Sequence, residues 1–219
     1  MGTLQKKLLK IVINTFLLLA FWMAAPVTAK VNVYYAGYSY LGDCKNIENN
    51  FPYSSALNKF ECGQTISEQP YLDKILIERI KSHNFQNFNL RIGEQATDTK
   101  GSAIALAFAL DRESTSVEQI GSKYKVITEL SVQALFFDQH AKTLINSYPV
   151  VVQYIDILDE YPTDTYFRGA VDQLYTGSGE VNVFNELITQ LKAIDLNREN
   201  AARIQVTQVN LEEKALTAL

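Results

Sequence analysis

Apolar positions repeat along this chain with two different periods, and the change of period marks out its elements. An unbroken apolar stretch comes first, with Ile11-Val12-Ile13 and then Phe16 to Ala25 interrupted only by Asn14 and Thr15. Val31 to Ala36 is β-branched and aromatic and predicts a first strand. Leu72, Ile75, Leu76 and Ile80 then recur at helical spacing, with Lys74, Glu78 and Lys81 on the opposite side. Ser67 is the expected N-cap of that helix, with Glu68 and Pro70 in its first turn and an end near Ser82-His83-Asn84. Phe88 to Ile92 predicts the next strand. Between Ser102 and Asp111 the alternation is strict, Ile104, Leu106, Phe108 and Leu110 against Ala103, Ala105, Ala107 and Ala109. This predicts a strand buried on both faces, with a helix close against the alanines.

Tyr124 to Phe137 alternates again, with Tyr124, Val126, Leu130, Val132, Ala134 and Phe136 on one side. A polar turn, Asp138 to Lys142, leads to Leu144–Ile155, where Tyr148, Val150, Val152 and Tyr154 share a face. The two runs predict a long antiparallel hairpin, and Pro149, which has no N–H, places its second strand at a sheet edge or a bulge. Past Asp159 the period becomes helical. Asp164 is the expected cap of a helix with Phe167, Ala170, Val171 and Leu174 inward, ending at Gly177-Ser178-Gly179. Asn182 opens another, with Phe184, Leu187, Ile188, Leu191 and Ile194 in line. Ile204 to Val209 has the pattern of a last strand, and Glu212 onward opens a helix that stops abruptly, as expected of a chain that continues. The order predicts an α+β fold: a mainly antiparallel sheet with a long hairpin and helices packed on one face.

The first apolar stretch follows Lys6, Lys7 and Lys10 with no acid, and it leads into Pro26 and the small residues Thr28 and Ala29. A positive start, an apolar middle and a small-residue exit are the pattern of a secretory signal peptide. Residues 1–29 are therefore expected to be cleaved, leaving 30–219 as a single α+β domain. Leu8 to Ala25, at 18 residues, is at the short end of a membrane span, and nothing later has that length, so no span is expected after cleavage. The expected location is the periplasm, with an extracellular destination as the alternative.

The 219-residue chain has 20 basic and 24 acidic residues, a net charge of −4. Without the three leading lysines the balance becomes 17 to 24, and an acidic chain of this kind is repelled by nucleic-acid backbones. The only tryptophan, Trp22, belongs to the leading segment. Two cysteines, Cys44 and Cys62, flank a stretch rich in Asn and Ser, and outside the cytosol an even count reads as one disulfide. A metal site would need two further ligands, and the only histidines, His83 and His140, are distant in sequence.

The segment Lys123-Tyr124-Lys125-Val126 through Leu135-Phe136-Phe137-Asp138-Gln139-His140-Ala141-Lys142-Thr143-Leu144-Ile145 resembles a hairpin of bacterial envelope proteins. There a strand ending in a hydrophobic residue and Asp is followed by a tight turn and a return strand. It is similar to the periplasmic α/β module of the curli secretion protein CsgG and of relatives such as the flagellar protein FlgT. The resemblance implies a periplasmic assembly module. It does not imply a pore, since no lipid-bearing cysteine follows the leader and Ala141-Lys142 stands where that family has Thr-Gly.

The sequence carries no nucleophile elbow, phosphate loop or dinucleotide fingerprint, so no catalytic residue, cofactor or metal ligand is assigned. Asp138 and His140 read as a solvated hairpin tip. Asp111-Arg112-Glu113 reads as a strand end, and Asp156, Asp159 and Glu160 lack the loop that calcium requires. Tyr34, Tyr35, Tyr38 and Tyr40 crowd the first strand. They form either a candidate binding surface or the rim of a core with hydroxyls reaching water. The expected function is that of an exported, non-catalytic protein docking onto a cell-envelope assembly, alone or as a homo-oligomer. A ligand-binding module with a cleft near the cysteine loop is the alternative, and a hydrolase is the third class.

Overall fold

The structure, a computed structural model, describes residues 30–63, 69–94, 103–178, 182–194 and 196. The chain divides into two units, Met1–Lys30 and Val31–Leu219, and the fold below is that of the second. The expected export segment, Ser67 and the expected last strand and helix all lie outside the described residues.

Among the described residues, five strands form one sheet in the order β2-β1-β3-β4-β5: β1 Val31–Tyr40, β2 Phe88–Arg91, β3 Ile104–Ile120, β4 Lys123–Asp138 and β5 Thr143–Leu158. The α+β class holds, but the sheet is mixed. β1 runs parallel to both β2 and β3, while β3, β4 and β5 form two long antiparallel hairpins. The hairpin from β4 to β5 is the expected one, with Pro149 on its edge strand. The hairpin from β3 to β4 was hidden, because the polar stretch Glu113–Gln119 continues β3 to Ile120. Two-residue alternation needs apolar residues to be visible, and here the strand projects with both faces largely wet.

The helices are α1 Ile47–Asn50 and α2 Pro52–Asn58 after a 3₁₀ turn at Cys44–Asn46, then α3 Tyr71–Lys81, α4 Asp164–Thr176 and α5 Val183–Ala193. Their buried residues, among them Ile47, Leu72, Leu76, Leu174, Phe184 and Leu187, join Leu106, Phe108, Leu110, Leu130 and Val152 in one core. The helices therefore lie on the large-residue side of β3. The expected helix against the alanines is corrected: Ala105, Ala107 and Ala109 face the other way, paired with Tyr34, Gly37 and Ser39, and although Ala105 and Ala109 are buried, the described helices bury their apolar residues on the opposite side. Long side chains on the helix side give each helix far more apolar area to bury than a strip of methyl groups does.

Two helix starts differ from expectation. Thr163, not Asp164, caps α4, its hydroxyl accepting from Tyr166 N–H at 3.3 Å. α3 begins at Tyr71 behind Pro70, and the cap comes from elsewhere: Asn58 Oδ1 accepts from Leu72 N–H at 3.0 Å. Asn182 caps α5 as predicted, accepting from Phe184 and Asn185 N–H, and its amide donates to the carbonyls of Tyr175 and Gly177. One side chain thus closes the α4–α5 junction.

Candidate functional site

Two single-residue bulges determine which side chains reach the interior. In β1 the register shifts between Tyr35 and Gly37, so Ala36 is the extra residue. In a regularly paired strand Tyr35 and Tyr38, three residues apart, would face opposite sides of the sheet. With the bulge, Tyr35, Tyr38 and Tyr40 all face the helices beside Leu106, Phe108 and Leu110. Gly37 adopts φ +113°, which a side chain rarely allows. The Tyr38 N–H released by the bulge donates to Asp73 Oδ1 at 2.9 Å, the Tyr35 hydroxyl donates to the same oxygen, and Gln69 Nε2 donates to Oδ2 at 2.7 Å. Asp73 thereby fastens the first turn of α3 to the strand.

In β3 the register shifts between Leu110 and Arg112, making Asp111 the extra residue and turning Glu113 toward the helices. Its carboxylate accepts Tyr53 and Ser54 N–H, each at 2.8 Å, and the Ser54 hydroxyl. It is the N-terminal cap that α2 does not find in its own sequence. Burial pushes the Glu113 carboxyl pKa upward against these hydrogen bonds. The Ser54 hydroxyl also meets the Tyr175 hydroxyl at 3.0 Å, which meets Tyr38 at 2.9 Å. Burial raises the phenol pKa of Tyr38, Tyr40 and Tyr175, so all three remain neutral donors. A serine beside a carboxylate has the composition of a nucleophile and its base, but Ser54 is 0% exposed and no substrate reaches it. Asp111 and Arg112 are exposed, and Arg112 pairs with Glu129 at 2.6 Å. The expected strand end is therefore the middle of β3, with one of its three charges drawn inside.

Beside this network lies a cleft of about 910 Å³. Tyr38 and Tyr40 contribute to its floor, Leu57 to Glu61 form one wall, and Pro70, Tyr71, Lys74 and Asp172 the other. The Cys44–Cys62 disulfide, with Cα atoms 5.5 Å apart, closes the rim as the spacing predicted. Lys59 ends α2 in the left-handed conformation, with φ 49°, and turns the chain into that rim. Aromatic faces, two ammonium groups and two carboxylates give the cleft the chemistry to hold a small polar-aromatic molecule. The Asp172 Oδ1 atom is buried without a hydrogen-bond partner among the described residues.

Of the four strand tyrosines, Tyr38 and Tyr40 are buried and Tyr35 packs against the core, while Tyr34 lies on the helix-free face. They do not form one surface. The other charged candidates stay apart. Asp138 accepts His140 and Ala141 N–H within the turn, Asp159 pairs with Lys123, and Asp156 accepts the Tyr166 hydroxyl. No cluster of three metal-ligating side chains occurs among the described residues. Sequence reasoning missed Asp73 and Tyr175 and read Glu113 only as part of a strand end; their roles depend on partners 35 to 137 residues away.

The helix-free face holds a second group. Ile120, Leu144, Val151, Ile155 and Ile157 are each more than half exposed, and strand pairing sets all five on that side. No helix among the described residues is long and apolar enough to cross a membrane.

No family model matches the sequence, and no curated protein does. Among solved structures, a hypothetical protein from Chlamydia trachomatis is similar at 12% identity and TM-score 0.40, over 75% of this chain and 97% of that one. A DUF330 protein from Xanthomonas campestris gives 11% and 0.36, over 77% and 86%. A minor lipoprotein from Acinetobacter baumannii gives 10% and 0.36, over 75% and 92%. With TM-scores below 0.5, these likenesses say nothing about what this chain does.

Proposed function

We propose that this is an exported protein of the bacterial cell envelope, periplasmic after loss of residues 1–29, that acts by docking onto an envelope protein. The observation that supports the reading most is the concentration of Ile120, Leu144, Val151, Ile155 and Ile157 on one uncovered sheet face. Exposed aliphatic side chains scattered singly are ordinary, but gathered on one face they mark an interaction surface. Two carboxylates are meanwhile engaged inside the fold, Glu113 capping α2 and Asp73 holding the β1 bulge. The periplasmic assembly module implied by the hairpin resemblance belongs to the same reading.

The test is cell fractionation with Ile120→Asp and Leu144→Asp, at opposite ends of the face. The wild-type protein is expected in envelope complexes with its amino terminus near Lys30 and no free thiol, and the variants in the soluble exported fraction. Identical fractionation of all three, or Met1 retained in cytosolic material with both thiols free, overturns the proposal.

A second reading is supported by the cleft, whose volume lies in the range of small-molecule sites. A compound that raises the wild-type melting temperature but not that of Lys74→Glu would support it.

A further inference from the structure

β5 is the last strand of the sheet, so one of its flanks has no neighbour among the described residues. In an antiparallel pair, residues whose N–H and C=O face the partner alternate with residues whose groups face away. The register of β5 on β4 runs without a shift from Asn146 to Leu158, so one phase holds throughout. Pro149 indicates that phase, because a residue with no N–H to give is accommodated at an edge only where the donor would face outward. Two hydrogen bonds agree. Ser147 N–H donates to the Asn146 side chain at 2.9 Å, and Ile157 N–H donates to the Asp156 carboxylate at 2.8 Å, neither to β4. The outward set is therefore Ser147, Pro149, Val151, Gln153, Ile155 and Ile157.

Ser147 and Ile157 have their N–H groups occupied by side chains, and Pro149 has none. What remains is an open run of Val151, Gln153 and Ile155. Its boundaries, Pro149 and Ile157, lie at equal distances on either side of Gln153. We infer that this run pairs antiparallel with the same run of a second copy of the chain, about a two-fold axis at Gln153, joining the two sheets into one.

In that register Gln153 faces its own counterpart and Val151 faces Ile155, and each facing pair exchanges two hydrogen bonds. Pro149, lacking a donor, meets Ile157, whose donor is already used by Asp156. The sole charged residue of β5 is Asp156, and it falls opposite Val150, so no like charges meet. Val151 and Ile155, 52% and 55% exposed, come together across the axis. The other edge of the sheet offers no such run: β2 has four residues and ends at Arg91, paired with Glu94. An unrelated partner strand would require no symmetry in the boundaries, and the symmetry is what favours a second copy. The pairing does not rest on the envelope partner proposed above.

The test is light scattering together with cysteine cross-linking of the full exported protein. Both natural cysteines are in the disulfide, so an added thiol reports on its own position. Facing residues in a hydrogen-bonded pair have Cα atoms about 5.5 Å apart, within disulfide reach. A dimer is expected, with Gln153→Cys cross-linking to completion on mild oxidation. Val151→Cys alone should stay monomeric on a denaturing gel, while Val151→Cys combined with Ile155→Cys should cross-link. Gln153→Pro should weaken dimerisation at least about tenfold with an unchanged melting temperature. A monomer at all soluble concentrations, equal cross-linking of the Val151→Cys and Gln153→Cys variants, or a dimer indifferent to Gln153→Pro overturns the inference. Recovery of the protein only as a monomer bound to another protein's strand does so equally.

Discussion

The two sides of this sheet are made from similar residues and have opposite fates. Toward the helices, Leu106, Phe108, Leu110, Leu130 and Val132 are completely sealed. On the reverse side, Val151, Ile155 and Ile157 remain half exposed, although valine and isoleucine are as apolar as anything in the core. The alanines of β3 are in between: Ala105 and Ala109 are shielded, short enough to sink below longer neighbours such as Leu135. Strand hydrophobicity therefore tells which residues lose by facing water. The helices decide which side escapes it, and they go where the larger side chains offer the most area.

The comparison is broken most severely by Phe108→Ala, which opens a cavity beneath the helices and should cost about 3–5 kcal/mol. Ile157→Ala on the reverse side should stay within about 0.5 kcal/mol. Urea titration of the two variants checks the contrast, and comparable losses would mean that the second face is covered too. Replacing both Cys44 and Cys62 by Ala should cost about 3 kcal/mol by freeing the enclosed loop in the unfolded chain, read as a lower denaturation midpoint. The helix side should retain its secondary structure by circular dichroism.

Glu113→Gln sharpens the picture at intermediate scale. Losing the charged cap of α2 should cost about 1–2 kcal/mol at neutral pH. Burial lifts the folded Glu113 carboxyl above its ordinary value of 4.5, so the folded state favours the protonated acid. That contribution to stability is full below the unfolded value and is lost as pH rises through the folded one. The advantage of wild type over the variant should consequently grow as pH is lowered from neutral toward 4.5. A melting-temperature difference that shrinks on acidification would show instead a stabilised carboxylate. A smaller effect of the opposite sign belongs to Thr128, fully buried with a hydroxyl that finds no partner among the described residues. Thr128→Val should stabilise by up to about 1 kcal/mol, visible as a modest rise in melting temperature.

Much of the helix side was legible in the chain. The inward residues of α3 and α5, the Asn182 cap, the β4–β5 hairpin and the disulfide all rest on local spacing. What was not legible depends on distant partners. Ser67 satisfied a local rule for helix starts, yet α3 takes its cap from Asn58, 14 residues before Leu72, and α2 takes its cap from Glu113 on β3; Asp164 missed the cap of α4 by one residue, since Thr163 serves there. The burial on both faces expected from the alternation of Ala103–Leu110 holds, while the helix expected against the alanines does not, because periodicity reports polarity and not the position of a covering layer. The cleft was legible only in outline, through the cysteines and the tyrosine-rich strand, since its Lys74 and Asp172 come from helices far apart in sequence.

The extra residue Ala36 makes β1 a strand with a change of phase at its midpoint. Excising that one residue would restore plain alternation, with Tyr35, Tyr38 and Tyr40 still matched to Leu106, Phe108 and Leu110 on the helix side; what would go is the local kink beside the Tyr38 N–H that Asp73 accepts. For an evolving lineage, a lost codon at Ala36 is therefore a milder event than the loss of Ser39, which would set the rings of Tyr38 and Tyr40 on opposite faces.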